Sequence, residues 1–226
     1  MFHVSHSLDE RDRNVATSYH GGLRRYARLK LRYDPVYSEV AERLIAADAP
    51  VLDIGSGIGL LGLYLYERGF RNRYHGIDCD AEKISRARRS ANECAAPLTF
   101  ETRDAVVLPP FSGSVVLLDV LHYMDRERQR AVLRSAARRV AGNATLIIRT
   151  ALQEPTWRYR ATLCEEWLLH GCGWMQMPAL YFPQRMEIES TLQELGMHVT
   201  TKPLWGHTPF ASFLIVGRRP PGPVNR

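Results

Sequence analysis

Val51-Leu52-Asp53-Ile54-Gly55-Ser56-Gly57-Ile58-Gly59-Leu60-Leu61-Gly62 decides the reading of this chain. An apolar run with one acid, Asp53, leads into glycines at alternate positions, and an apolar run resumes after them. That pattern predicts a buried strand ending at Ile54 or Gly55, a tight turn, and the first turn of a helix. Glycine is needed where backbone takes a positive φ or comes within contact distance of a ligand. The N–H groups at a helix start then offer a cradle for an anionic or polar group. The stretch predicts a nucleotide-like ligand beyond the end of the first strand.

Upstream, residues 1–18 are polar without a clear period and are expected to form a loose arm or cap. Tyr19 to Leu31 reads as a basic helix with aromatic residues on one side. Asp34-Pro35 marks a break, and Val36, Tyr37, Val40, Leu44 and Ile45 recur at helical spacing through Ala47. Preceding the first strand, this helix pair can fold over the glycine turn as a lid.

Downstream, strands and helices alternate. Residues 58–68 read as a helix ended by Gly69, Arg73 to Asp78 as a strand, and Ala81 to Glu93 as a helix. Leu98 to Thr102 and the apolar Ser114 to Asp119 are further strands, the latter suited to the centre of a parallel sheet. Asp125 can cap a helix to Val140, and Thr145 to Arg149 is a fifth strand. An aromatic-rich segment, residues 151–185, precedes a helix from Met186 to Leu195. Met197 to Lys202 and Ala211 to Gly217 are joined too closely for a crossover helix, so these last two strands should be antiparallel. The alternation predicts an α/β fold, a doubly wound, seven-stranded and mostly parallel sheet with an antiparallel last strand. The expected organisation is an N-terminal helical arm or lid at 1–35, the main domain at 36–217 with its aromatic-rich insert at about 151–185, and a disordered tail at 218–226.

The bulk properties narrow the function class. With 226 residues, 45% of them hydrophobic and 24% charged, the chain suits one soluble domain with a proper core. A formal charge of +6 raises the prospect of an anionic or nucleic-acid partner without settling it. Cys79, Cys94, Cys164 and Cys172 form no CxxC pair, so reduced packing residues and no metal are expected. No apolar run is long enough for a membrane helix and the N-terminus is polar, so the expected location is the cytoplasm.

Two ligands compete for the turn. Gly57-Ile58-Gly59-Leu60-Leu61-Gly62 fits the dinucleotide fingerprint G-x-G-x-x-G, with Asp78 at a suitable distance for a ribose hydroxyl, which would make an NAD-binding oxidoreductase. Residues 51–59 together, however, resemble motif I of the class I S-adenosylmethionine (AdoMet)-dependent methyltransferases. Gly76-Ile77-Asp78, Arg103-Asp104-Ala105 and Asp119-Val120-Leu121-His122-Tyr123 are similar to that family's second, third and fourth strand ends. The resemblance covers residues 36–217 and implies the Rossmann-like methyltransferase fold, with S-adenosylhomocysteine as product. It also implies cofactor contacts at Asp53, Gly55, Ser56, Gly57, Asp78, Asp104, Ala105 and Asp119. In that scheme Asp78 accepts both ribose hydroxyls, a task suited to an acceptor-only carboxylate. Asp104 takes the adenine amino group beside the Ala105 N–H. Asp53 organises the ammonium side, and Asp119 sits by the ammonium or the methyl-transfer site.

Methyl transfer from a sulfonium is intrinsically favourable, so proximity does much of the catalysis and a base is needed only for a protonated acceptor. His122, with Tyr123 beside it, and His207 are the candidate catalytic residues. Arg149, at the end of the fifth strand, could meet an anionic acceptor. Tyr19, Tyr26, Trp157 and Tyr159 could roof a pocket for a flat substrate. The fourth strand lacks the Asn/Asp-Pro-Pro-Tyr/Phe sequence of amino-group methylases, which favours a small-molecule acceptor. The Leu121-His122-Tyr123, Trp157-Arg158-Tyr159-Arg160 and 204–210 segments are similar to methyltransferases of aryl-polyene or xanthomonadin-type pigment clusters. That resemblance implies a phenolic or polyene acyl acceptor, presented by an acyl carrier protein. An RNA methyltransferase using the basic surface and a cofactor-binding pseudoenzyme are the rival readings, although no separate RNA-binding module is visible.

Overall fold

The computed structural model describes residues 8–171, 179, 181–206, 209 and 211–220. Three helices come first, α1 (Glu10–Thr17), α2 (Gly21–Tyr33) and α3 (Val36–Ala47). Then β1 (Val51–Ile54), α4 (Leu60–Glu67), β2 (Tyr74–Asp78), α5 (Ala81–Glu93), β3 (Leu98–Thr102) and β4 (Ser114–Leu118) alternate. A single 3-10 turn at Leu121–Tyr123 leads to α6 (Arg126–Arg138) and β5 (Thr145–Ala151). The chain continues through α7 (Trp157–Gly171), α8 (Arg185–Gln193), β6 (His198–Pro203) and β7 (Ser212–Arg218).

The seven strands form one sheet in the order β3-β2-β1-β4-β5-β7-β6. Strands β1 to β5 are parallel, and β7 runs antiparallel between β5 and β6. The doubly wound sheet with its antiparallel final pair is thus the predicted one. Strand order reverses between β1 and β4, and ligands of such sheets bind beyond the carboxyl ends at that point.

Period-two alternation assigns each central strand residue to one of two cores. Leu52, Val115, Leu117, Leu146, Ile148, Phe213 and Ile215 pack with α6 and α8 residues such as Leu133 and Leu192. Val51, Val116, Ile147, Leu214 and Val216 pack on the opposite face with residues of α3, α4 and α5. Both faces are covered, which is why Val115 to Leu118 of β4 and Leu146 to Ile148 of β5 are apolar without alternation. Strand β4 ends one residue earlier than its sequence suggests, because Asp119 takes a left-handed φ of 56°. The last strand runs on through Arg218, and Arg219 donates to the carbonyls of Ala137 (3.0 Å) and Val140 (3.2 Å) at the end of α6.

Of the two forms expected for residues 1–18, a loose arm or a cap, the described residues 8–18 take the second. Asp9 caps α1 by accepting from the Asp12 N–H at 2.7 Å, and Val15 and Ala16 are buried against Leu60 and Leu63 of α4. Arg68 reaches back to Asp12 at 2.8 Å. An eight-residue helix has too few apolar positions to show a period, and its stability comes from this packing.

Gly62 shows how tightly α4 lies on the sheet. A Cβ there would fall 2.7 Å from the Tyr74 ring and 3.2 Å from Leu98. In an unconstrained helix interior, alanine stabilises over glycine by about 1 kcal/mol. Here Gly62→Ala is expected to destabilise instead, by roughly 1–3 kcal/mol, because the buried ring has nowhere to move. Gly142→Ala, whose Cβ meets nothing within 4 Å, serves as the neutral control. Urea midpoints at constant slope measure both; a Gly62→Ala midpoint at or above the parent would refute the packing argument.

Candidate active site at the carboxyl ends of the strands

The β1–α4 turn is built by close approach. Gly55 has φ 75°, and a Cβ on it would lie 2.2 Å from Val120 at the end of β4. Gly59 has φ 78° and faces the Phe100 ring, which a Cβ would approach to 2.6 Å. Gly57 differs: the space its Cβ would occupy has no protein atom within 4 Å. Two of the glycines in the turn therefore serve packing, and Gly57 leaves the turn open. The N–H groups of Gly55 and Ser56 both donate to the Ile77 carbonyl, at 2.8 and 2.9 Å, stapling the turn to β2. The Ser56 hydroxyl is buried and makes no hydrogen bond among the described residues.

Asp78 closes β2 and is held by its own backbone surroundings. One carboxylate oxygen accepts from the Gly57 N–H and the other from the Asp80 N–H, both at 2.9 Å. The acid and the open turn are therefore one unit, and spare lone pairs remain on both oxygens. Asp104, beyond β3, accepts from the Val106 N–H (3.0 Å) and pairs with the exposed Arg128 through both oxygens at 2.7 and 3.0 Å. The Val106 N–H and that guanidinium hold its carboxyl below the usual range. Ala105 packs its side chain at the edge of the α6-side core.

Asp53 lies elsewhere in this geometry. It points into the α4 side of the sheet, 2% exposed, and accepts a short hydrogen bond from the Tyr74 hydroxyl. Burial pushes its pKa up to about 7, with a smaller contribution from the nearby Asp78 charge, against the favourable Tyr74 bond. Sequence reading missed Tyr74, although its ring occupies the space that Gly62 leaves.

Asp119 meets Arg149 of β5 in a short ion pair. Arg149 is buried, and its other terminal nitrogen pairs with both oxygens of Asp34, at 3.1 and 3.0 Å. Asp34 also accepts from the Val36 N–H at 3.1 Å and from Lys30 at 3.3 Å. Its carboxyl is buried, which favours the neutral form, but Arg149 and Lys30 hold its pKa below normal. The same two neighbours and Asp119 interact with Tyr26, whose phenol is pushed up chiefly by burial. The Asp34-Pro35 break, read from sequence as punctuation, is thus the point where the N-terminal helices attach to β5. Arg149 is committed to two carboxylates rather than standing open to solvent.

His122 lies in the 3-10 turn, 3% exposed, and stacks on Phe182 at 5.5 Å with an interplanar angle of 8°. Tyr123 packs against it at 4.2 Å. The buried Gln129 amide, another residue sequence reading missed, donates to the carbonyls of Leu121 (2.8 Å), Met124 (3.1 Å) and Tyr181 (2.7 Å). That amide locks the turn to the segment after α7. His122 therefore lies beneath the insert rather than on an open wall.

The proposed roof divides. Tyr19 is a core residue: it is 1% exposed and donates its hydroxyl to the Ile58 carbonyl at 3.0 Å, clamping the arm onto the glycine turn. Tyr159 is partly buried and meets Phe182 edge-on at 5.5 Å. Trp157 is 64% exposed and Trp205 36%, and the Arg158 guanidinium lies over both rings, at 4.7 and 4.5 Å. His207 lies outside the described residues.

Residues 51–143 match the protein family described as Methyltransferase domain. No curated protein matches the chain in sequence. Among solved structures, the magnesium protoporphyrin IX methyltransferase ChlM from Synechocystis PCC 6803, with bound SAH, is 21% identical over 93% of both chains, with a TM-score of 0.67. An O-methyltransferase family protein from Burkholderia thailandensis is 20% identical with a TM-score of 0.68, covering 91% of this chain and 62% of its own. The pyocyanin biosynthetic protein PhzM is 16% identical over 88% of this chain and 58% of its own, with a TM-score of 0.65.

The buried carboxyl of Asp53 gives a pH test. Between its ordinary pKa of 3.8 and about 7, the folded chain keeps a proton that the unfolded chain has lost. Its contribution to stability is thus full below the lower value, declines as pH rises through this window, and is level above about 7. Asp53→Asn removes that decline, so the variant should gain on the parent by a few kcal/mol between about pH 4 and pH 8. Denaturant titrations across this range measure the difference; a constant gap would mean that the carboxylate stays ionised when folded.

The 3-2-1-4-5-7-6 sheet is the fold shared with these methyltransferase structures, and within it residues 51–143 match the methyltransferase domain model.

Proposed function

We propose that the chain transfers the methyl group of AdoMet to a small-molecule acceptor, aromatic or phenolic, or a polyene acyl chain presented by a carrier protein. The observation that carries the cofactor side is the Gly57–Asp78 unit. An open glycine at the strand-order reversal shares a hydrogen bond with an acid that retains acceptor capacity. The residues present fit AdoMet. Asp78 would receive the ribose hydroxyls, the Gly55-Ser56-Gly57 backbone the methionine portion, and Asp104 with the Ala105 N–H the adenine. The exposed Arg128 pair on Asp104 costs little to share, since such surface pairs are worth about 0–1 kcal/mol. Asp119 would meet the ammonium. Asp53, buried with Tyr74, would act by shaping the turn from beneath. When bound, AdoMet supplies an electrophilic methyl on a sulfonium.

The acceptor side rests on the rim. Trp157, Arg158 and Trp205 stand beyond the carboxyl end of β5 and the amino end of β7, where α7 begins and the β6–β7 loop passes. Exposed indoles flanking a guanidinium suit a flat, conjugated acceptor bearing an anionic group. The neighbouring structures include an O-methyltransferase family protein and a porphyrin methyltransferase, which supports an acceptor of this kind. The segment before residue 36 would serve as the lid, with Tyr26 and Arg149 at its inner edge. His122 and Tyr123 would act on an acceptor admitted beneath the insert, and His207 from the β6–β7 loop.

A labelled-methyl transfer screen over phenols, carrier-linked polyenes and RNA tests this reading. Transfer to a phenol or polyene, reduced at least about tenfold in Trp157→Ala, is expected. Transfer to RNA alone would replace the small-molecule reading. Asp78→Ala should abolish calorimetric binding of S-adenosylhomocysteine while leaving the fold intact, and unchanged affinity would remove the cofactor assignment.

A further inference from the structure

We infer that Asp34, on the N-terminal arm, is a positioning residue for the amino-acid end of the cofactor, acting through Arg149 on Asp119. The inference rests on the proposal that Asp119 meets the cofactor's ammonium. Asp34 and Arg149 are 115 residues apart in sequence, yet one terminal nitrogen of the guanidinium holds both Asp34 oxygens while the other holds Asp119. A guanidinium is a rigid planar fork. With both ends taken and its surroundings buried, Arg149 cannot rotate without breaking one of the two pairs. Asp34 is itself fixed by Lys30 and by the Val36 N–H, so the fork's orientation is set from the arm.

The consequence falls on Asp119. This residue is not glycine, yet it holds a left-handed φ of 56°, a conformation that costs energy and is kept only where surroundings impose it. Its N–H donates to the Arg149 carbonyl at 2.9 Å and its carboxylate pairs with the Arg149 side chain, so Arg149 grips it twice. The charge balance matters equally. Arg149 and Lys30 face Asp34 and Asp119, two cations against two anions. While Asp34 shares the guanidinium, Asp119 retains attraction for a further cation. If Asp34 loses its charge, Arg149 turns its whole field on Asp119 and competes with the incoming ammonium.

Calorimetry with two probes separates this role from general support of the fold. S-Adenosylhomocysteine carries the ammonium, and 5′-methylthioadenosine lacks the amino-acid portion. Asp34→Asn should weaken the first roughly tenfold and leave the second within about twofold, and Asp34→Glu should restore part of the loss. Asp119→Asn should show the same selective loss. Unchanged binding of both probes by Asp34→Asn, or equal weakening of both, overturns the proposal. If Asp119→Asn binds S-adenosylhomocysteine like the parent, the ammonium assignment fails, and the proposal with it. Should Asp34→Asn fail to fold, Arg149→Lys, which keeps the charge but loses the fork, is judged by the same two probes and the same criteria.

Discussion

The fold depends on how closely backbone can approach backbone and ring at the end of β1. Gly55 lies against Val120, Gly59 against Phe100, and Gly62 against Tyr74, each with room for hydrogen but not for carbon. These contacts bring α4 onto the sheet and bring β1 and β4 together where the strand order reverses. A crevice at that reversal follows from topology. Its floor follows from the contacts: the packed glycines remove side chains from the turn, and Gly57 is left facing open space.

Electrostatics in this region are handled in two ways. Asp53 is buried with a phenol as its partner, and desolvation raises its pKa to about 7. Asp34 and Asp119 sit around a buried arginine and stay paired with cations. Burying a charge costs several kcal/mol per ion unless partners and hydrogen bonds offset it. The first arrangement lets a proton relieve that cost. The second relieves it with opposite charge, and thereby ties the N-terminal helices to the centre of the sheet. Asp78, oriented by two backbone N–H groups, and Asp104, held by the Val106 N–H and the exposed Arg128, lie nearer solvent and keep capacity to accept more.

Element order was legible because it rests on local signals. Apolar runs of five or so residues, Asp125 accepting from an N–H group in the turn it caps, and the antiparallel β6–β7 pair all matched expectation. The helix α1 was not legible, since its stability resides in Leu60 and Leu63 of another element. Among the aromatics, composition could not separate Tyr19, a core residue bonded to Ile58, from Trp157, which stands in solvent. Both belong to aromatic-rich segments; only the neighbours differ.

By itself the sequence determined the strands, the glycine turn and the acids that end three of them, because each depends on residues close together along the chain. Tertiary structure alone decided which way each acid faces. Asp53 faces inward since it shares its strand face with Val51, and that face is buried by α3 and α4. Asp78 faces the turn because Gly57 offers it an N–H. Asp119 faces Arg149, and through it Asp34, because β4 and β5 are neighbours and the arm folds back over them. Those pairings span 21, 30 and 115 residues, and no local pattern encodes a contact formed only when distant segments pack.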